Sequence, residues 1–197
     1  MNIVSCVLQI LPDALIILLS PESPSRPKFK YFICRFYYNG GKKIKVLICT
    51  DGSKFAEEAI DQAGYLLKHT GPEVTVLRVI PDFEKKYEEY NEYFELFKDD
   101  IHRLRKLGTP KAVSKSLETG VKILENYGIK AGTKVRKGRV ADEIMKETEE
   151  GNYNLVVLAS YGSGISKFML GSVSREVVHR SEIPVLVVKS GAGKNMF

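Results

Sequence analysis

NLVVLASYGSGISKFMLGSVS, residues 154–174, contains three kinds of segment in immediate succession. Leu155-Val156-Val157-Leu158-Ala159 is a short, continuous apolar run, the pattern of a strand buried on both faces. Ser160 to Ser166 is a glycine- and serine-rich loop. Gly171-Ser172-Val173-Ser174 then opens a helical pattern with small hydroxyl residues at its start. Strand, glycine loop and helix N-terminus together suit a bound phosphate. Glycine lets the backbone approach closely, and the free N–H groups and helix dipole favour an anion.

Outward from this stretch the chain alternates strand and helix patterns. KVLICT (45–50) is a buried-type strand, and Asp51-Gly52-Ser53 is a turn with helix-capping chemistry. The next helix places Ala56, Ala59, Ile60, Ala63, Leu66 and Leu67 on one face, and His69 to Gly71 ends it. VTVLRVI (74–80) is a second strand. Thr109-Pro110 reads as an N-cap with proline at the first helical position of a helix running to Tyr127. A third strand lies in Lys130 to Val135, a short helix in Val140 to Glu149, and a last strand in Pro184 to Val188. Strands alternating with helices predict an α/β fold with a doubly wound parallel sheet. One segment exceeds this scheme. Phe83, Tyr87, Tyr90, Phe94, Phe97, Ile101 and Leu104 recur at alternating spacings of four and three, a heptad-like seam on one long helix. Core packing, a lid and a partner-binding helix are all compatible with it.

The chain has 197 residues, enough for one domain, and 44% apolar content supplies a core. Its net charge of +6 is unevenly placed. Residues 1–43 carry six Lys or Arg against Asp13 and Glu22, while the remainder holds 24 basic and 22 acidic residues. A basic nucleic-acid face on the main domain is therefore not supported. Cys6, Cys34 and Cys49 make neither a metal spacing nor a disulfide framework, which fits a reducing cytoplasm. The front differs from the rest. Ile3 to Leu19 is mostly apolar but contains Pro12 and Asp13, which speaks against membrane contact through residues 3–19. PESPSRPKFK reads as an extended linker, and YFICRFYYNGG as an aromatic run closed by a turn. An extra segment that is surface-docked or poorly ordered is the preferred reading, ahead of a translation start placed too early and a membrane anchor.

From Lys43 to Ser190 the chain resembles the universal stress protein family. Nucleotide-binding members carry Gly-x2-Gly-x9-Gly-Ser or Thr after the fourth strand. Here Gly162 and Gly171-Ser172 fill the later positions. Ala159 stands where the first glycine belongs, and Ser163 to Leu170 is one residue short. KFMLGSVSREVVHRSEIPVLVVK continues the family's pattern to Lys189. The resemblance divides the chain into an extension (1–42), a universal stress protein domain (43–190) and a tail (191–197). It implies an open, five-stranded parallel sheet of order 3-2-1-4-5, Rossmann-like and of the adenine nucleotide alpha hydrolase type. The ligand crevice would then lie between the ends of strands one and four, at Thr50-Asp51 and at Ala159 to Gly164. Asp51 matches the acidic residue beside the adenosine, and Val79 the position whose backbone meets adenine. Gly162, Ser163, Gly164, Gly171, Ser172, Val173 and Ser174 would cradle phosphates and ribose, with Lys167 within reach. The implied ligand is ATP, with or without Mg2+, and the implied assembly is a homodimer through strand 183–188.

Enzyme signatures are missing from the sequence. Lys167 replaces the third glycine of a dinucleotide fingerprint, there is no Walker A loop, and His69, His102 and His179 follow no zinc motif. Two readings of different class remain: an ATP-binding regulatory module of stress response, and a non-binding dimeric scaffold of the same fold. A slow ATP hydrolase is a third. Asp51 and the intact Gly171-Ser172-Val173-Ser174 favour the first, and Ala159 with the shortened loop favours the second. The last strand, Ile183 to Val188, is apolar on both alternating sets and falls at an edge of a 3-2-1-4-5 sheet. Such an edge needs a cover, either the same strand of a second subunit or the front segment.

Overall fold

The computed structural model describes residues 8–11, 14–19, 43–82, 108–160 and 170–188. The aromatic seam at 83–104, the loop residues Gly162, Ser163, Gly164 and Lys167, the YFICRFYY run and the tail lie outside the described residues. In chain order the elements are β1 (Leu8–Leu11), β2 (Ala14–Leu19), β3 (Lys45–Thr50), α1 (Lys54–Leu67), β4 (Glu73–Pro81), α2 (Pro110–Glu125), β5 (Ala131–Gly138), α3 (Val140–Glu150), β6 (Leu155–Ala159), α4 (Ser172–Arg180) and β7 (Val185–Val188).

The alternation of side chains along each strand divides the apolar residues between two faces. Val46, Ile48, Val74, Val76, Val157 and Leu186 pack with α1 and α2 on one side. Leu47, Cys49, Leu77, Val79, Val156 and Val187 pack with α3 and α4 on the other. β3 and its neighbours are thus buried on both faces, as their continuous apolar runs require. Helix starts follow local chemistry. Ser53 Oγ accepts the Ala56 amide at 3.2 Å to begin α1, and Thr109 Oγ1 accepts the Ala112 amide at 3.4 Å ahead of Pro110. Asn154 pins the start of the sheet: its amide donates to the Lys45 carbonyl at 2.8 Å and its Oδ1 accepts the Lys45 amide at 2.9 Å.

β3 to β7 form the expected parallel five-strand sheet, spatially β5-β4-β3-β6-β7. Right-handed crossovers explain the layers. β3–α1–β4 and β4–α2–β5 build outward on one side, and β5–α3–β6 then carries the chain back across, so β6 and β7 extend the sheet from the other side of β3. The strand boundaries differ from the sequence reading chiefly at β5, which runs to Gly138 because all eight residues from Val74↔Ala131 to Pro81↔Gly138 pair with β4.

The placement of strand 185–188 at a sheet edge does not hold. The sheet has seven strands, in the order β1-β2-β7-β6-β3-β4-β5. β2 pairs in parallel with β7, from Ile16↔Val185 to Leu19↔Val188, and β1 folds back antiparallel on β2, from Leu8↔Ile17 to Leu11↔Ala14. The part of the front that supplies this cover is residues 14–19, with residues 8–11 paired on their outer side. No helix among the described residues is long and apolar enough to cross a membrane.

Two contacts lock the helices. Tyr127 lies against Gly64 so closely that a Cβ there would overlap its ring, and its hydroxyl donates to Asp61 Oδ1 at 2.7 Å. Burial, then the bond to Asp61, pushes the Tyr127 phenol up to about 12 from an ordinary 10.0. A phenol raised in the folded state stabilises fully below its unfolded value, and that contribution is lost as pH rises through the folded value. Stability should therefore fall between about pH 10 and 12, and Tyr127→Phe should flatten part of that fall; urea titrations at stepped pH would read it. Parallel curves for the two proteins would remove Tyr127 from the account.

Candidate functional site

The crevice is built by strands that part. The β3–β6 ladder stops at Ile48↔Val157, although β3 continues to Thr50 and β6 to Ala159. On their other sides the same ends remain paired, Thr50 with Arg78 on β4 and Ala159 with Val188 on β7. β3 leads into α1 on one face and β6 leads toward α4 on the opposite face. This is the switch point of a doubly wound sheet, where ligand crevices form.

On the β3 wall, Thr50 is buried and its Oγ1 accepts the Gly52 amide at 3.1 Å. Asp51 is exposed, and its Oδ1 accepts the Ser53 amide at 2.9 Å. The capping of α1 belongs to Ser53, so Asp51 keeps acceptor capacity at the crevice mouth. Gly52 turns the chain with φ +75°, and a Cβ there would sit 3.1 Å from Ser116 Cβ on α2. A side chain at Gly52 would thus be strained twice over. Beneath this turn lies Arg78, 5% exposed, whose guanidinium donates from Nη1 to the Thr50 carbonyl at 3.3 Å. Burial pulls its pKa down from the ordinary value, and the Asp51 carboxylate pulls it partly back. Val79 is the first β4 residue beyond the last pair with β3; it is buried and packs toward α3 and α4.

On the β6 wall, the start of α4 is tied to the strand end. The Gly171 amide donates to the Ser160 carbonyl at 2.8 Å, and Ser174 Oγ donates to the Ala159 carbonyl at 2.7 Å. Gly171 is the N-cap, with no side-chain hydrogen bond closing the helix end. The first helical bond is from the Arg175 amide to the Gly171 carbonyl, 2.9 Å. The amides of Ser172, Val173 and Ser174 therefore have no partner within the helix, and they carry the positive end of its dipole. Ser160, 2% exposed, holds its amide on the Val188 carbonyl at 2.8 Å. Its Oγ has no hydrogen-bond partner among the described residues.

Of the sequence-predicted residues, Thr50, Asp51, Ala159, Gly171, Ser172, Val173 and Ser174 come together on the two walls, with Val79 behind Asp51. Gly162, Ser163 and Gly164 lie outside the described residues. Ser174 spends its proton on Ala159, which makes it a brace rather than a free donor. Sequence reasoning included Ser160 only within the span Ala159 to Gly164, with no role of its own, and missed Arg78. A lone arginine inside the apolar run VTVLRVI was the available signal, since a buried charge needs a specific partner. Cys49 lies at the end of the same core; burial pushes its thiol up, out of the reactive range. Among the described residues no group of three His, Cys, Asp or Glu could hold a metal.

Residues 44–189 match the sequence model of the Universal stress protein family. This chain belongs to the universal stress protein family. Universal stress protein YxiE of Bacillus subtilis is 31% identical over 153 residues, covering 74% of this chain and 98% of YxiE. Universal stress protein MJ0577 of Methanocaldococcus jannaschii is 31% identical over 156 residues, covering 74% of this chain and 94% of the relative. The solved structure of MJ0577 superimposes with a TM-score of 0.56 at 27% identity, over 74% of this chain and 94% of that one. A universal stress protein solved in complex with cAMP shares the fold, with a TM-score of 0.53 at 20% identity, over 74% of this chain and 95% of that one.

The brace between α4 and β6 should be measurable by itself. Ser174→Ala leaves the Ala159 carbonyl without its donor in a half-buried place, and should cost about 1–3 kcal/mol. A urea midpoint equal to that of the unaltered protein would show that the bond contributes nothing.

Proposed function

We propose that this universal stress protein is an adenine-nucleotide-binding regulatory module whose ligand is ATP, with or without Mg2+ on its phosphates. The observation that carries the reading is the parting of β3 and β6 beside the uncapped start of α4. The groups present fit the ligand. Ser172, Val173 and Ser174 offer amides, Ser160 offers a buried hydroxyl with no described partner, and Asp51 offers an exposed acceptor. Phosphates belong at the α4 end, joined by Gly162, Ser163 and Gly164 of the loop and by Gly171. The adenosine belongs at the β3 end, where Asp51 accepts from ribose hydroxyls or an amino group and the Val79 backbone meets the base. Thr50 and Ala159 form the floor. Arg78 holds the Thr50–Gly52 turn in shape from below.

In this reading the module acts in the cytoplasm and in stress response by holding nucleotide and by changing what it associates with; among the described residues no group is assigned to activate water. A homodimer through residues 183–188 belongs to this reading only when that strand edge is open. The rival is a scaffold of the same fold that binds no nucleotide, favoured by Ala159 and the short loop.

Protein purified without added nucleotide should release an adenine compound on denaturation. Gly171→Val places a branched side chain where donors meet phosphate and should abolish ATP binding by calorimetry while the fold survives. Asp51→Ala should weaken binding by about 1–3 kcal/mol through loss of a charged acceptor. Unaltered affinity in both variants, or no binding by the parent protein, would hand the chain to the scaffold reading.

A further inference from the structure

β7 is the element whose surroundings depart most from the family's five-strand sheet. All four of its residues are buried, none is charged, and β6 occupies one of its edges. Left open, its other edge would present a row of backbone donors and acceptors between two apolar faces, a template for another strand. In this chain that edge is taken. β2 lies along it in parallel over the full length of β7, each residue from Val185 to Val188 having a register partner between Ile16 and Leu19. β1 pairs with the outer side of β2 over four residues, which makes β1 rather than β7 the outermost strand on that flank.

We propose that the residue 8–19 hairpin is a tethered stand-in for a partner strand: it seals the β7 edge and holds the chain as a monomer, and its departure opens that edge to the β7 of a second copy. A strand edge has one set of N–H and C=O groups, so β2 and a second β7 cannot use it together. The contest is unequal. β2 is joined to β3 through residues 20–44, which puts its effective concentration near β7 in the millimolar range typical of short tethers. A second copy at micromolar concentration loses to it until the hairpin is removed or drawn elsewhere. The second copy is the fitting replacement because the pairing surface is self-complementary. Two β7 strands meet antiparallel about a two-fold axis, and each satisfies the other. The strands LQIL and ALIILL supply the backbone pairing that an isolated edge lacks. This inference stands on strand pairing and does not depend on any ligand.

The full chain, of 22.1 kDa, should scatter light as a monomer. Ile16→Pro with Ile17→Pro removes two neighbouring amides of β2, one of which must face β7. That variant should double in mass, with the amides of Val185 to Val188 still protected from hydrogen exchange. A dimeric parent chain, or a double-proline variant that stays monomeric with unchanged exchange at β7, overturns the proposal. A second route does not depend on how the proline variant folds. Ile17→Cys with Leu186→Cys joins register partners, with Cys6 and Cys34 replaced by serine. Neighbouring strands lie at a separation a disulfide can span. An intramolecular disulfide in a monomer, identified by peptide mapping, supports the hairpin's position; interchain bonds alone, or no bond, refute it.

Discussion

Val46, Leu47 and Ile48 have no exposed surface at all. Consecutive strand residues point to opposite faces, so burial of all three requires a packed layer on each side of β3. Each such side chain stabilises by roughly 1.5–3 kcal/mol when fully buried, a large part of the margin on which a domain lives. The two layers must then come from crossovers of one handedness, which obliges the chain to reverse its direction of growth beside β3. The reversal is what separates the ends of β3 and β6. The crevice is therefore a consequence of how the core is covered, and the polar residues Thr50, Asp51 and Ser160 stand at the strand ends beside that core.

Charge is managed in the same sheet by burying it only where partners are fixed. Glu147 on α3 is fully buried, yet Lys134 Nζ lies 2.7 Å from Oε2 and Arg136 Nε 2.6 Å from it. Burial alone would raise its pKa; the hydrogen bonds from Lys134 and Arg136 outweigh that and hold the carboxyl below its ordinary value. Arg136 also reaches Glu143 at 3.3 Å and pairs with Glu150. α3 is thereby fastened to β5, whose own residues are too polar to attach it by apolar packing. Arg78 follows the same rule beneath Asp51, with the Thr50 carbonyl as its partner.

The central architecture was legible because it is written in local patterns. The apolar run 155–159 coincides with β6, and Ser53, Thr109 and Pro110 mark helix starts through contacts within three residues. Pairings across long sequence separations left no such trace. Nothing in VTVLRVI says which carbonyl Arg78 will meet, and Glu147 reads as one more charge on a helix until β5 is laid beside it. Residues 8–19 misled for a different reason. Pro12 and Asp13 looked like faults in one apolar segment, whereas they stand between two four- to six-residue strands, where a residue without an N–H is tolerated. The edge argument correctly demanded a cover for β7. It offered the front segment as one candidate, and residues 14–19 are the part of it that pairs with β7.

The sheet's two flanks show that an edge can be made safe by opposite means. β5 leaves Thr133, Val135 and Lys137 exposed, and a further strand laid there would desolvate the Lys137 ammonium. Lys134 and Arg136 are committed to Glu147 on α3, so the strand is held without an apolar cover. β7 has no such means: Val185-Leu186-Val187-Val188 offers no charge on either face, and Pro184 removes a donor only at its start. An edge of that composition is stable only when something pairs with it. The covering strand can come from another molecule or from the same one, and residues 14–19 settle the matter within the chain by adding a parallel strand. The antiparallel β1 on the outer side of β2 ends the sheet; antiparallel strands can be joined by a short connection, whereas another parallel strand would need a crossover.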